Sequence, residues 1–216
     1  MFIGHYSVSL AARAAQPAVP LWAFVLAAQL LDILWCLFVV TGLERVGASP
    51  GVTEGLRFLD YPWSHSLVAA FVWGGITTQI ARRAFGVPAR GATLLGLTVV
   101  SHWPLDFLVH RADMPIYPGG KEYGLGLWDQ PVLELALEIG LFLAAGALLL
   151  AVARRRGLRL WPLAAFLGFG AAFMVAMRQA PPPAEVEPVM LGAMGLALYL
   201  GFALLARLAE RPVRPG

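Results

Sequence analysis

Residues 94–110 read LLGLTVVSHWPLDFLVH, an apolar run that carries three ionisable side chains in its second half. With the residues just before it, the run is long enough for a membrane-spanning helix, which needs about 20 predominantly apolar residues. His102 and Asp106 are four residues apart and therefore share one face of that helix. Each ionisable group at bilayer depth costs about 2.5–3.5 kcal/mol, so this pair alone indicates either a functional site or a polar contact that holds helices together.

The rest of the chain has the composition of an integral membrane protein. Of its 216 residues 59% are hydrophobic and only 13% are charged. We predict an all-α, polytopic fold that forms a single integral membrane domain over residues 1–216, with no nucleic-acid partner, because the arginines cluster between apolar helices and form no basic face. Apolar windows predict about six transmembrane helices, preceded by a short N-terminal helix, at residues 21–43, 64–81, 90–110, 131–153, 159–177 and 188–208.

Basic residues predict the orientation of these helices. Arginines gather in alternate loops and near the C-terminus, whereas acidic residues gather in the loops at 44–63, 111–130 and 178–187; the arginines are Arg82, Arg83, Arg90, Arg154, Arg155, Arg156, Arg159, Arg207, Arg211 and Arg214. By the positive-inside rule the arginine loops and both termini are cytoplasmic, and the three acidic loops face outward.

Further ionisable residues fall at similar predicted depth. His102 lies about 18 Å along its helix from Arg90, and Asp32 lies about 17 Å above the start of the first long helix. His65 opens the second apolar segment near the outer rim. His5 reaches the same level if residues 4–16 form a re-entrant half-helix, whereas a helix lying on the membrane surface would keep it away. Pro104 predicts a kink beside His102.

Imidazole and carboxylate groups from separate helices are the ligand set of a borderline divalent metal. The predicted ligands are His5, Asp32, His65, His102 and Asp106. Glu138, one turn after Glu134 in the fourth long helix, and Asp60, in the loop before His65, are candidate general bases. Asp60 is equally well interpreted as a metal ligand or as a solvated loop acid. Two other interpretations stay open, a polar packing core and a proton path. We expect His110 to be an interfacial surface residue.

The same motifs resemble the YdjM-like family of bacterial inner-membrane proteins, which are regarded as metal-dependent hydrolases. The features that match are His5, Asp32, a THS-like element at Ser64-His65-Ser66 and an SHxxLD element from Ser101-His102 to Leu105-Asp106. Where the family usually has a second histidine, five residues before the THS histidine, this chain has Asp60. The resemblance implies a multi-pass protein of the bacterial inner membrane that uses zinc or manganese.

The resemblance and the buried ionisable groups together predict hydrolysis of a phosphoester or lipid-like substrate that enters from the outer face. A metal would activate water at such a site, and one of the two candidate bases would accept a proton. The alternatives are a non-catalytic helical subunit of a larger membrane complex, with other membrane subunits as partners, or a proton or metal-ion carrier. Substrate identity does not follow from the sequence.

Overall fold

The computed structural model describes residues 1–48, 55–179 and 185–210 of the chain. This part is mostly helical, which confirms the predicted all-α class. Residues 49–54 and 180–184 of two predicted outer loops, and Arg211 and Arg214, lie outside it. The helices are α1 (Ile3–Ala15), α2 (Leu21–Ala28), α3 (Leu30–Thr41), α4 (Pro62–His65), α5 (Leu67–Arg83), α6 (Ala89–Val100), α7 (His102–Val109), α8 (Pro131–Arg155), α9 (Trp161–Gln179) and α10 (Pro188–Ala209).

Four of the described helices are long and apolar enough to cross a membrane, which supports the predicted membrane protein but not the count of six spans. They are the continuous segment of α6 and α7, and the helices α8, α9 and α10. The helices α2 and α3 meet at an angle of 51°. They make a fifth span if the bent pair crosses the membrane as one unit. The predicted span at 64–81 is different: Ser66 has an extended backbone and its Oγ accepts a hydrogen bond from Ala69 N, so it caps a shorter α5. His65 therefore belongs to the one-turn helix α4.

Both helix interruptions in the N-terminal half lie beside predicted site residues. The helix 90–110 is interrupted at Ser101, three residues before Pro104, as the missing proline N–H predicts. The first long helix is interrupted at Gln29, where neither proline nor glycine is present to signal a break. There the buried Gln29 side chain donates to the carbonyl of Phe2, so a contact with the N-terminal segment accompanies the break.

Helix α1 is buried inside the bundle rather than lying on its surface. It packs mainly against α8 and α2, and eight of its 13 residues are buried, His5 among them. The turn at residues 16–20 reverses the chain into α2, so that α1 and α2 lie side by side. This burial agrees with the half-helix arrangement of the two that the sequence left open.

Two short antiparallel hairpins, which the sequence did not predict, occupy connections between helices. One pairs β1 (Arg45–Ala48) with β2 (Leu56–Asp60), and the other pairs β3 (Met114–Pro115) with β4 (Glu122–Tyr123). A single 3₁₀ turn at Leu127–Asp129 precedes α8. The first hairpin leads directly into α4 and so sets the position of His65.

Candidate metal centre

Asp106, in α7, is the centre of a buried cluster. Its Oδ1 lies 2.8 Å from the α-amino nitrogen of Met1 and 3.0 Å from His5 Nε2. Its Oδ2 lies 2.9 Å from His102 Nε2 and 3.7 Å from His65 Nε2. Three imidazole nitrogens from three separate helices thus converge on one carboxylate.

Asp32, in α3, closes the cluster on its other side. Its Oδ1 lies 3.2 Å from His65 Nε2 and 3.5 Å from His102 Nε2. The rings of His5 and His102 stack with centroids 3.8 Å apart, and His65 meets His102 edge to face. The structure therefore brings together all five predicted ligands.

Two subsets of these residues have the spacing of a metal site, with ligand atoms within 4.8 Å of one another. One subset is His5, Asp32 and His102; the other is His65, His102 and Asp106. His102 belongs to both subsets and its Nε2 can bind only one ion, so the two subsets are alternative ligand sets for a single ion at this residue. Nitrogen and carboxylate oxygen donors in this ratio suit a borderline divalent metal.

The Nδ1 atoms of two of the histidines form hydrogen bonds with groups outside the cluster. His102 Nδ1 donates to the carbonyl of Ala28 at 2.7 Å, and His65 Nδ1 lies 2.7 Å from Ser64 Oγ. Ala28 is the last residue of α2, and carbonyls at a helix end lack an intrahelical donor. The break at Gln29 therefore supplies the acceptor that orients His102.

Ser64 is in turn held by a buried glutamate. Its Oγ donates to Glu44 Oε2 at 2.6 Å, while Glu44 Oε1 accepts the backbone N–H groups of Trp63 and Ser64, both at 2.8 Å. Since the serine proton goes to Glu44, Ser64 Oγ accepts the Nδ1 proton of His65. Burial raises the pKa of the Glu44 carboxyl, and the hydrogen bonds from Ser64 oppose that shift.

These contacts leave the Nε2 atoms of His65 and His102 without a proton to donate to the nearby carboxylates. With Nδ1 protonated, Nε2 of His65 and Nε2 of His102 are acceptors that face carboxylate oxygens, which are also acceptors. His102 Nε2 has no hydrogen-bond partner despite its 2.9 Å contact with Asp106. Among the described residues no lysine or arginine pairs with Asp32 or Asp106. A metal ion, or a second proton on the imidazoles, resolves this arrangement.

The five ligand side chains differ in their exposure. The Asp32 side chain is 14% exposed, whereas the other four ligand side chains are at most 4% exposed. A substrate or an exchanging ion would therefore approach from the side of Asp32.

The two predicted general bases lie elsewhere or have other partners. Glu138 is buried beside the cluster, but its carboxylate accepts the backbone N–H groups of Phe2 and Gly4 at 2.9 Å and so caps the start of α1. Asp60 ends β2, where its half-exposed side chain lies 3.7 Å from Arg45. Asp60 lies at the end of β2 and not in α4, so its side chain does not reach the cluster.

His110 was expected at the membrane surface, and this expectation is wrong. His110 is buried, with Nδ1 3.0 Å from Asp113 Oδ1 and its ring centroid 4.0 Å from that of Trp128. Its Nε2 lies 3.9 Å from Asp106 Oδ2, at the edge of the cluster. Its i+4 spacing from Asp106 was the signal in the sequence that pointed to this position.

Sequence reasoning also missed Glu44 and Ser64 as supporting residues. The adjacency of Ser64 and His65 was a usable signal, because a hydroxyl beside a ligand can orient it. Nothing local marks Glu44, which is 20 residues from Ser64 and reaches it through the first hairpin. No protein-family model, curated protein or solved structure matches this chain.

Proposed function

We propose that this chain is a membrane-embedded metal-dependent hydrolase. One observation carries the proposal: three histidine Nε2 atoms and two aspartates converge in a buried cluster, and two of the imidazoles are oriented by acceptors at Nδ1. Ligands held by a second layer of hydrogen bonds are characteristic of metal sites. A zinc or manganese ion would supply Lewis acidity and lower the pKa of bound water.

The proposal includes membership of the YdjM-like family and the topology that the arginines predict. In that topology the protein is a multi-pass component of a bacterial inner membrane, with six spans and both termini in the cytoplasm. The fifth and sixth spans would be the bent pair α2 and α3, and α4 with α5. The cluster would then lie in the outer half of the bilayer, close to the acidic loops.

The residues of the cluster would divide the work between them. His5, His65, His102 and Asp106 are the buried ligands, and their fixed positions would limit reorganisation during the reaction. Asp32 is the most exposed of the five ligands, so it would bind the metal on the side from which the substrate enters. The substrate class that we propose is a phosphoester on a lipid-like molecule, since access from the side of Asp32 starts at the bundle exterior.

Metal analysis of the detergent-purified protein tests this proposal. Asp32→Asn and Asp60→Asn make the same chemical change, one inside the cluster and one outside it. We expect near-stoichiometric zinc or manganese in the unmodified chain and in Asp60→Asn, and a marked loss in Asp32→Asn. Hydrolysis of bis(p-nitrophenyl) phosphate, followed by absorbance, should fall with the metal content. Folded protein that binds neither metal after loading would overturn the proposal.

A second candidate function has support from one contact. The ion pair between Asp106 and the α-amino group of Met1 neutralises part of the cluster without a metal. In a polar packing core or a proton carrier, a second proton on the imidazoles would do the rest. The chain would then serve as a subunit of a larger membrane complex or as a carrier, and it would contain no metal. Proton flux into proteoliposomes distinguishes the carrier from the subunit.

A further inference from the structure

A cavity lies far from the histidines, where α8 ends and α9 begins. It has a volume of about 260 Å³ and is bordered by three arginines, Arg13, Arg156 and Arg159, together with Glu210 at the end of α10. Glu138, beside the cluster, and Arg155, at the end of α8, are 17 residues apart on one helix, a distance of about 26 Å. This arginine pocket is therefore independent of the proposed metal centre.

The charges in the arginine pocket are not balanced. Arg13 pairs with Glu210, whose other carboxylate oxygen accepts the backbone N–H of Leu21 at 2.5 Å. Both oxygens of the pocket's carboxylate are thus occupied. Arg156 and Arg159 are exposed, and no carboxylate in the described part of the chain pairs with either of them. The pocket presents two guanidinium groups, which suit the oxygens of a phosphate.

An apolar groove continues from the arginine pocket along the bundle. The groove has a volume of about 290 Å³, runs between α9 and α10, and shares Pro162 and Ala209 with the pocket. Its α9 side extends from Trp161 to Phe169, eight residues or about 12 Å along the helix axis. The exposed Trp161 marks the pocket end, as aromatic residues do at a membrane interface. The groove therefore leads from the interface into the apolar part of the bundle surface.

We propose that the arginine pocket and the apolar groove together bind one anionic phospholipid. The phosphate of the headgroup lies between Arg156 and Arg159, and an acyl chain lies in the groove between α9 and α10. A charged end next to an apolar channel matches the two parts of a phospholipid, whereas a free anion would use only the first. Basic pockets between transmembrane helices are known to bind anionic headgroups.

Native mass spectrometry of the purified chain, titrated with dioleoylphosphatidylglycerol or dioleoylphosphatidylcholine, tests the proposal. The Arg156→Ala/Arg159→Ala variant removes the two free guanidinium groups. Its control, Arg82→Ala/Arg83→Ala, removes the same charge from another exposed arginine pair, at the end of α5. We expect tighter binding of the anionic lipid to the unmodified chain, and about a tenfold loss in the first variant only.

A second variant tests the groove. Ala165 is exposed in the groove, so Ala165→Phe should fill the space and weaken the binding of the anionic lipid without changing any charge. Three results would overturn the proposal: equal losses in the two arginine variants, no preference for the anionic lipid, or displacement of the lipid by millimolar inorganic phosphate. The last result would assign the pocket to a small anion. Because the arginines are far from the cluster, metal content should stay unchanged in every variant.

Discussion

Replacing Ser64 by alanine tests whether the cluster is built to hold a metal. In the structure Ser64 Oγ joins Glu44 Oε2 at 2.6 Å to His65 Nδ1 at 2.7 Å. Without it, the nitrogen loses its acceptor and Glu44 Oε2 loses its donor, while Glu44 Oε1 keeps two backbone N–H groups. Each buried polar group left unsatisfied costs about 1–3 kcal/mol, so for these two groups we expect a loss of stability of about 2–6 kcal/mol.

The same substitution should also weaken metal binding. Loss of the group that orients a ligand typically weakens metal binding by about 10–100-fold. Zinc affinity would be measured by competition with a chromophoric chelator in detergent solution, and thermal unfolding would be followed by circular dichroism. The expected result for Ser64→Ala is weaker binding by this factor in protein that still folds.

Ser66→Ala is the matched control, because it removes a buried serine hydroxyl two residues away. Ser66 caps α5 by accepting the N–H of Ala69 at 3.1 Å, and among the described residues its hydroxyl forms no hydrogen bond with a histidine. Its loss should cost about 1 kcal/mol of stability and leave zinc affinity unchanged. Equal zinc affinities in the two variants would refute the argument that Glu44 and Ser64 orient His65.

Three further predictions concern the bundle around the site. Glu138→Ala should destabilise the protein by about 2–4 kcal/mol, since it removes the acceptor for the first backbone N–H groups of α1, and denaturant titration would show it; an unchanged midpoint would contradict this role. Gly96→Ala should strongly destabilise the contact between α5 and α6, because its Cβ would lie 2.5 Å from the carbonyl oxygen of Gly74. The control Gly75→Ala meets nothing within 4 Å and should stabilise α5 by up to about 1 kcal/mol. Similar melting temperatures for the two variants would contradict this prediction. Removing the metal with EDTA should lower the melting temperature, and adding zinc in excess should restore it, because a ligand that binds only the folded state stabilises it; a melting temperature that does not respond to either would count against a metal site.

The sequence predicted the five residues of the cluster, but not the residues that orient them through hydrogen bonds. His102 and Asp106 follow from helical spacing, and Asp32 follows from counting the rise along a helix. The spacing of His102 and Asp106 is kept because both lie in α7, whereas the count from Leu21 to Asp32 crosses the break at Gln29. The position of His5 needed the assumption that α1 folds back into the bundle, and its burial agrees with that choice.

What could not be predicted depends on contacts between distant segments. The break at Gln29 has no proline or glycine to announce it, and it is accompanied by contacts from Phe2 and His102 to that turn. Glu138 has the spacing of a catalytic acid or base, yet its carboxylate is used by α1. Asp60 was selected because it takes the place of the family's second histidine, five residues before His65, but in the structure it ends β2 and lies beside Arg45. A carboxylate in an apolar helix indicates a group that is costly to bury, but the sequence does not show which partner the fold gives it.

The capping of α1 by Glu138 has a consequence for the biogenesis of the protein. Residues 2 and 138 form hydrogen bonds across 136 positions of sequence, and His5 meets Asp106 across 101. During synthesis α1 emerges first, but its partners in α7 and α8 emerge only after more than a hundred further residues. Until then its first N–H groups and His5 have nowhere to dock. The hydrogen bonds that cap α1 can therefore form only after Glu138 of α8 has been synthesised.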